Sequence, residues 1–118
     1  MSVKDVRVYI SDIINSVCLI KEFTVSLNFD DFQKDIKTQY AVIRCFEVIG
    51  EAAKRVPEDF KKQCPAVPWK IMAGMRDRLI HGYDVVDASI LWRTVKNDIP
   101  ELEKNLNNID FLNNPPEK

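Results

Sequence analysis

Apolar residues recur at alternating spacings of three and four along almost the whole chain, a period that admits little except packed α-helices. Val6, Ile10, Ile13, Val17, Ile20 and Leu27 make one stripe, with Thr24 filling the pattern. Val42, Phe46, Ile49, Ala53 and Val56 make a second, with Ile36, Tyr40 and Ile43 beside it. Leu91, Val95, Ile99, Leu102, Leu106 and Ile109 make a third. No alternating strand pattern competes, and no internal repeat is visible. The chain holds only 3 glycines, where average usage of about 7% would give about eight. The spacing therefore predicts an all-α fold, an up-and-down bundle of four to five helices. A length of 118 residues suits one domain at the usual size of about 100–150. Residues 1–112 are expected to form it, with the polar, Pro-rich stretch 113–118 as a frayed tail.

Local signals set the expected limits. Ser2, with Asp5 three residues later, resembles a capping box opening a helix from Val3 to Val25. Asn28-Phe29-Asp30-Asp31 breaks that helix and offers a cap to the next, over Phe32–Val56, which Pro57 ends. Residues 57–67 read as a connector. Pro68 suits the first turn of a third helix, Trp69–His81, which Gly82 stops. Asp87 can cap a fourth helix from Ala88. Pro100 lies inside that run and must kink or restart it, because it lacks an N–H and clashes one turn back.

Charge excludes some functions. Lys and Arg total 17 and Asp and Glu 18, for a net charge of −1. That excludes a globally basic nucleic-acid coat and an acidic disordered tail. The charge is nonetheless uneven: residues 54–78 carry net +4 and lead directly into the lone histidine, His81. A solvated surface would look the same. No run of about 18 apolar residues predicts a membrane span, and no apolar signal core opens the chain. Cys18, Cys45 and Cys64 have spacings that fit neither zinc nor a disulfide framework, so a reducing, cytoplasmic location is expected. With one histidine, a metal site built on several His ligands is unavailable, and no cofactor is expected.

Two polar clusters stand where a bundle would favour apolar residues. Tyr40, Arg44, Glu47 and Glu51 fall on one helix face. They read either as an ion-paired helix edge or as a network positioning an active site at a subunit interface. The second cluster runs from Met75 to Tyr83. On a helix, Asp77 and His81 lie one turn apart, so the carboxylate could orient the imidazole. Arg76 and Tyr83 lie about 20° from a common line at about 100° per residue. Arg78, three residues before His81, adds a second cation. A histidine at a helix C-terminus would hold its proton more tightly, in a range suited to proton transfer. A cation for phosphate oxygens and a histidine for proton transfer are what metal-free phosphodiester cleavage needs. One histidine cannot be acid and base in the same step, so a homodimer that brings two copies together is expected. Gly74 is expected to permit the close approach of the second copy's helix. A histidine that merely caps a helix beside an aspartate is the simpler alternative.

Arg76-x4-His81-x-Tyr83 resembles the R-x4-H-x-Y motif of the HEPN superfamily, in particular the HepT-like toxins. The resemblance extends through Arg44-x2-Glu47-x-Ile49-Gly50-Glu51-Ala52-Ala53-Lys54-Arg55, Pro68-Trp69-Lys70, Arg76–Tyr83 and Val86-Asp87…Leu91-Trp92, about residues 5–110. It implies a homodimeric helical bundle acting as a metal-independent endoribonuclease. Arg76 and His81 of both copies would line the cleft, with Asp77, Arg78, Glu47 and Arg44 in support. It also implies an MntA-like nucleotidyltransferase antitoxin that transfers AMP to Tyr83. A non-catalytic module that binds such a nucleotidyltransferase, or a nucleotide, is the alternative. The two separate on RNA cleavage.

Overall fold

Four of the helices start where a short polar side chain, Asp5, Asn28, Asp35 or Asp87, accepts the first unpaired backbone N–H groups. The computed structural model describes residues 5–81 and 85–109, with 80, 81, 85 and 86 described by backbone alone. Helix α1 (Val6–Thr24) is capped by Asp5, whose carboxylate accepts from the Arg7 N–H at 2.9 Å. Asp5 is thus the cap itself rather than the far end of a box opened by Ser2, which lies outside the described residues. The expected stripe is the buried one: Ile10, Ile13, Val17, Ile20 and Thr24 all face the core.

The stretch expected as one helix over Phe32–Val56 is two. Asn28 caps α2 (Phe29–Lys34) by accepting from the Asp31 N–H at 2.8 Å. Asp35, at φ −104° and ψ 81°, leaves the helical region and caps α3 (Ile36–Arg55). Its carboxylate accepts from the Thr38 backbone N–H at 3.0 Å and the Thr38 hydroxyl at 2.7 Å. Those two bonds, the hydroxyl's first, hold the Asp35 carboxyl below the usual carboxylate range. The buried Gln39 amide donates back to the carbonyls of Phe32 at 2.8 Å and Gln33 at 3.1 Å. It satisfies the last turn of α2 and ties the two helices together. Along α3, Val42, Phe46, Ile49, Ala53 and Val56 are buried as the pattern requires. Of the adjacent stripe only Ile43 is covered, while Ile36 and Tyr40 are 62% and 63% exposed.

Burial of Cys45 on α3 pushes its thiol up, whereas Cys18 is exposed. Iodoacetamide is therefore expected to label Cys18 in the native protein and Cys45 only after denaturation, because the thiolate is the reactive form. Mass spectrometry of the labelled peptides checks this; equal rates would mean that α3 is not packed.

The expected connector holds a short helix, α4 (Glu58–Gln63), with Pro57 at its N-cap. Phe60 meets Trp69 edge-on at 6.3 Å, and the indole N–H donates to the Cys64 carbonyl at 3.1 Å. Helix α5 (Trp69–Leu79) buries Trp69, Met72, Met75 and Leu79. It ends two residues before His81. Ile80–His81 is instead a short strand, β1, antiparallel to β2 (Val85–Val86), with His81 opposite Val85. Ile80, Val85 and Val86 are β-branched and favour extended backbone, and the ladder replaces the final helical turn. Gly82, expected as the helix stop, lies outside the described residues.

Asp87 caps α6 (Ala88–Arg93) as expected, accepting from Ser89 and Ile90 at 3.0 and 3.2 Å. The run restarts at Pro100, in the first turn of a new helix, with no loop between. Thr94–Asp98 widens into a π-helical turn, and α7 (Ile99–Asn107) follows directly. The Ile99 N–H bonds the Thr94 carbonyl, five residues back. The wider turn relieves the contact a proline ring makes with the carbonyl four residues before it. The third stripe stays in register, with Leu91, Val95, Ile99, Leu102, Leu106 and Ile109 all buried.

Both α1 and α5 pack along α3, which is the centre of the bundle. Helix α7 packs on α1, where Lys21 bonds Glu103 at 2.8 Å. Helix α2 packs on α6 through Trp92, 5.0 Å from Phe32, with the Lys96 ammonium 4.6 Å from the indole's centre. The fold is an all-α bundle. Its long members are α1, α3, α5 and the continuous α6–α7 run; α2 and α4 are short additions. Among the described residues, no helix is long and apolar enough to cross a membrane. The expected tail, 113–118, lies outside the described residues.

Candidate active site

Where α3 passes α5, residue 50 has no side chain. A Cβ at Gly50 would stand 3.3 Å from the Ala73 carbonyl oxygen and 3.4 Å from that of Met72. Glycine is what lets the two backbones come this close. The contact sets Glu47, one turn before Gly50, beside Arg76, one turn after Met72. The Arg76 Nε–H donates to Glu47 Oε2 at 3.2 Å, and its Nη1 donates to Asp77 Oδ1 at 3.2 Å. Arg44 Nη1 lies 3.8 Å from the other Glu47 oxygen. Four of the residues singled out in sequence, on two separate segments, therefore meet. They line one cavity of about 370 Å³, which Glu51 and Lys54 extend.

The Arg76 side chain is 46% exposed and Glu47 is 34% exposed, so the guanidinium is held yet reachable. The Glu47 and then the Asp77 hydrogen bonds push its pKa further up, keeping it charged. Nη2 takes part in neither bond. A guanidinium held by two carboxylates, with one nitrogen left over, can still donate to a phosphate oxygen.

Other expected residues fall elsewhere. Arg78 lines a different groove, between α5 and α7, with Asp98, Glu101 and Met75. It is not brought to Arg76. The backbone of His81 is extended, so the one-turn relation to Asp77 and the place at a helix C-terminus do not hold; the helix ends at Leu79. The His81 side chain and Tyr83 lie outside the described residues. Around Gly74, a Cβ would meet nothing within 4 Å. Of the two described glycines, the one at a close helix approach within the chain is Gly50. Its signal was a glycine beside Ala52 and Ala53 on the buried side of a long helix, where a side chain would otherwise keep a neighbour away. Among the described residues, no three His, Cys, Asp or Glu side chains gather as a metal ion would need.

Comparison with known proteins bears on the same residues. The model of a family described as "Ribonuclease HepT-like" matches residues 13–109, from within α1 to the end of the third stripe. "Probable ribonuclease HepT" of Thermococcus cleftensis is 55% identical over 95 residues, covering 80% of this chain and 86% of that protein. "Putative RNase MJ0127" of Methanocaldococcus jannaschii is 48% identical over 114 residues, covering 93% and 94%. No solved structure matches significantly. The matched span takes in α3 and α5 whole, and with them the Glu47–Arg76 pair at their crossing, so the chain belongs to the HepT-like ribonuclease family.

Proposed function

We propose that this protein is a metal-independent endoribonuclease, the toxin of a toxin–antitoxin pair, with an active site shared across a homodimer. The observation that carries the reading is Arg76, fixed by Glu47 and Asp77 at an open cavity, in a chain of a ribonuclease family. In RNA the 2′-hydroxyl attacks the neighbouring phosphorus and the 5′-oxygen leaves. His81 of one copy takes the hydroxyl proton; His81 of the second returns a proton to the leaving oxygen. Arg76 offsets the charge that builds on the phosphoryl oxygens. Glu47 sets the angle of Arg76, and Arg44 completes the ion-paired cluster. An MntA-like nucleotidyltransferase is the antitoxin, and Tyr83 accepts AMP from it. The added phosphate and nucleoside would occupy the ground that substrate needs.

The test is RNA cleavage by purified protein. His81→Ala is expected to abolish it, while EDTA leaves it unchanged. Tyr83→Phe is expected to cleave normally but to escape co-expressed nucleotidyltransferase. Loss of cleavage in EDTA would overturn the metal-free step, and full rescue of growth with the Phe variant would remove Tyr83. The second reading, a non-catalytic module, draws on the charge balance of the cluster, where two carboxylates offset Arg44 and Arg76. It predicts no cleavage by the wild-type protein at any concentration.

A further inference from the structure

Beside the Arg76 cavity lies a second groove, of about 410 Å³, lined by Lys54, Lys61, Lys62, Lys70 and Trp69. The two grooves share Lys54 and Ala73, so they run into one another. Their electrostatics differ. In the first, arginines and carboxylates are paired. In the second, Lys61 lies 3.5 Å from Glu58. Lys54, Lys62 and Lys70 are exposed and form no ion pair with any described residue. The surplus positive charge of residues 54–78 is thereby gathered beside the cleft, although α3, α4 and α5 each supply part of it.

We infer that this lysine groove is the track for the RNA strand leading into the cleavage site, binding backbone phosphates on one side of the scissile bond. The inference rests on the endoribonuclease reading and adds where the rest of the substrate lies. A chain of net charge −1 gains no general attraction for a polyanion, so attraction must be local. Three uncompensated lysines adjoining a charge-balanced cleft supply it. Trp69 is only 8% exposed and its indole N–H is taken by the Cys64 carbonyl. It offers no face for base stacking, so the track reads phosphates rather than bases.

The experiment measures binding separately from catalysis. A fluorescent single-stranded 2′-O-methyl oligonucleotide, which lacks the attacking hydroxyl, is titrated into wild-type protein and into the Lys62→Ala/Lys70→Ala double variant over a range of salt. Each phosphate contact on a single strand contributes about 0.7 to the slope of log affinity against log salt, so the variant should lose about 1.4. Referred to 1 M salt, that is about 25-fold weaker binding at 0.1 M. Both lysines are exposed, and an unchanged melting curve verifies the fold. Cleavage of a dinucleotide, too short to reach the groove, is expected to be unaffected, while kcat/KM on long RNA falls with binding. Unchanged slope and affinity in the double variant would overturn the inference. So would poly-glutamate competing with the oligonucleotide at equal charge, which would make the groove a docking surface for an acidic protein. Wild-type protein that binds with the expected slope but cleaves no RNA would overturn the endoribonuclease reading and leave the track standing.

Discussion

Arg76→Ala is expected to slow RNA cleavage about 100- to 1,000-fold, the usual cost of removing one donor that meets developing charge in the transition state. On the proposed mechanism the loss should fall mainly on kcat, because the charge that Arg76 offsets grows as the bond breaks. Stability should hardly move. The Arg76 side chain is 46% exposed and its ion pairs lie at the surface, where solvent screening leaves such pairs little effect on stability. Single-turnover cleavage and a thermal melt on the same sample give both quantities. A variant that melts normally and cleaves at the wild-type rate would remove Arg76 from the chemistry. One that fails to fold would recast it as a structural residue.

Phe46→Ala should act in the opposite sense, costing stability rather than chemistry. Its ring is fully buried on the central helix, in one core with α1, α5 and the α6–α7 run. Phe→Ala in such a core costs about 3–5 kcal/mol, from lost transfer energy and the cavity left behind. Small domains have only about 5–15 kcal/mol in total. Urea unfolding followed by circular dichroism should show the midpoint falling steeply. A loss below about 1 kcal/mol would mean that the core collapses around the gap.

The long-range plan of the fold was legible because it is written in periodicity. The three main stripes of three and four spacing became buried faces, the Ile36/Tyr40/Ile43 stripe did not because only Ile43 is covered, and Asp87 became the cap its position suggested. Boundaries were less legible, since they depend on bonds between residues whose pairing the sequence does not announce. The break at Asp35 is held by Thr38 and by Gln39 reaching back across it. The end of α5 at Leu79 follows from a ladder between Ile80–His81 and Val85–Val86. A local helical pattern through Arg76–His81 hid that competition. At the site, spacing put Arg44 and Glu47 on one face and Arg76 beside Asp77. It could not show that the two pairs meet, because the crossing of α3 and α5 is a tertiary fact. Arg78 shows the reverse limit. It is close to Arg76 in sequence but turned toward Asp98 and Glu101, because two residues along a helix point to nearly opposite sides.

The contact at Gly50 gives the molecule a clearance with almost no tolerance. Core positions can exchange one aliphatic group for another and let neighbours repack. Position 50 has no such latitude: one methyl group there would stand 3.3 Å from a carbonyl oxygen of α5, a fixed part of the backbone. It would act as a shim, pressing α5 outward by a few tenths of an ångström at the point between Glu47 and Arg76. The meeting of Glu47 and Arg76 is thus set by the spacing of two main chains, and that spacing rests on the absence of a single methyl group.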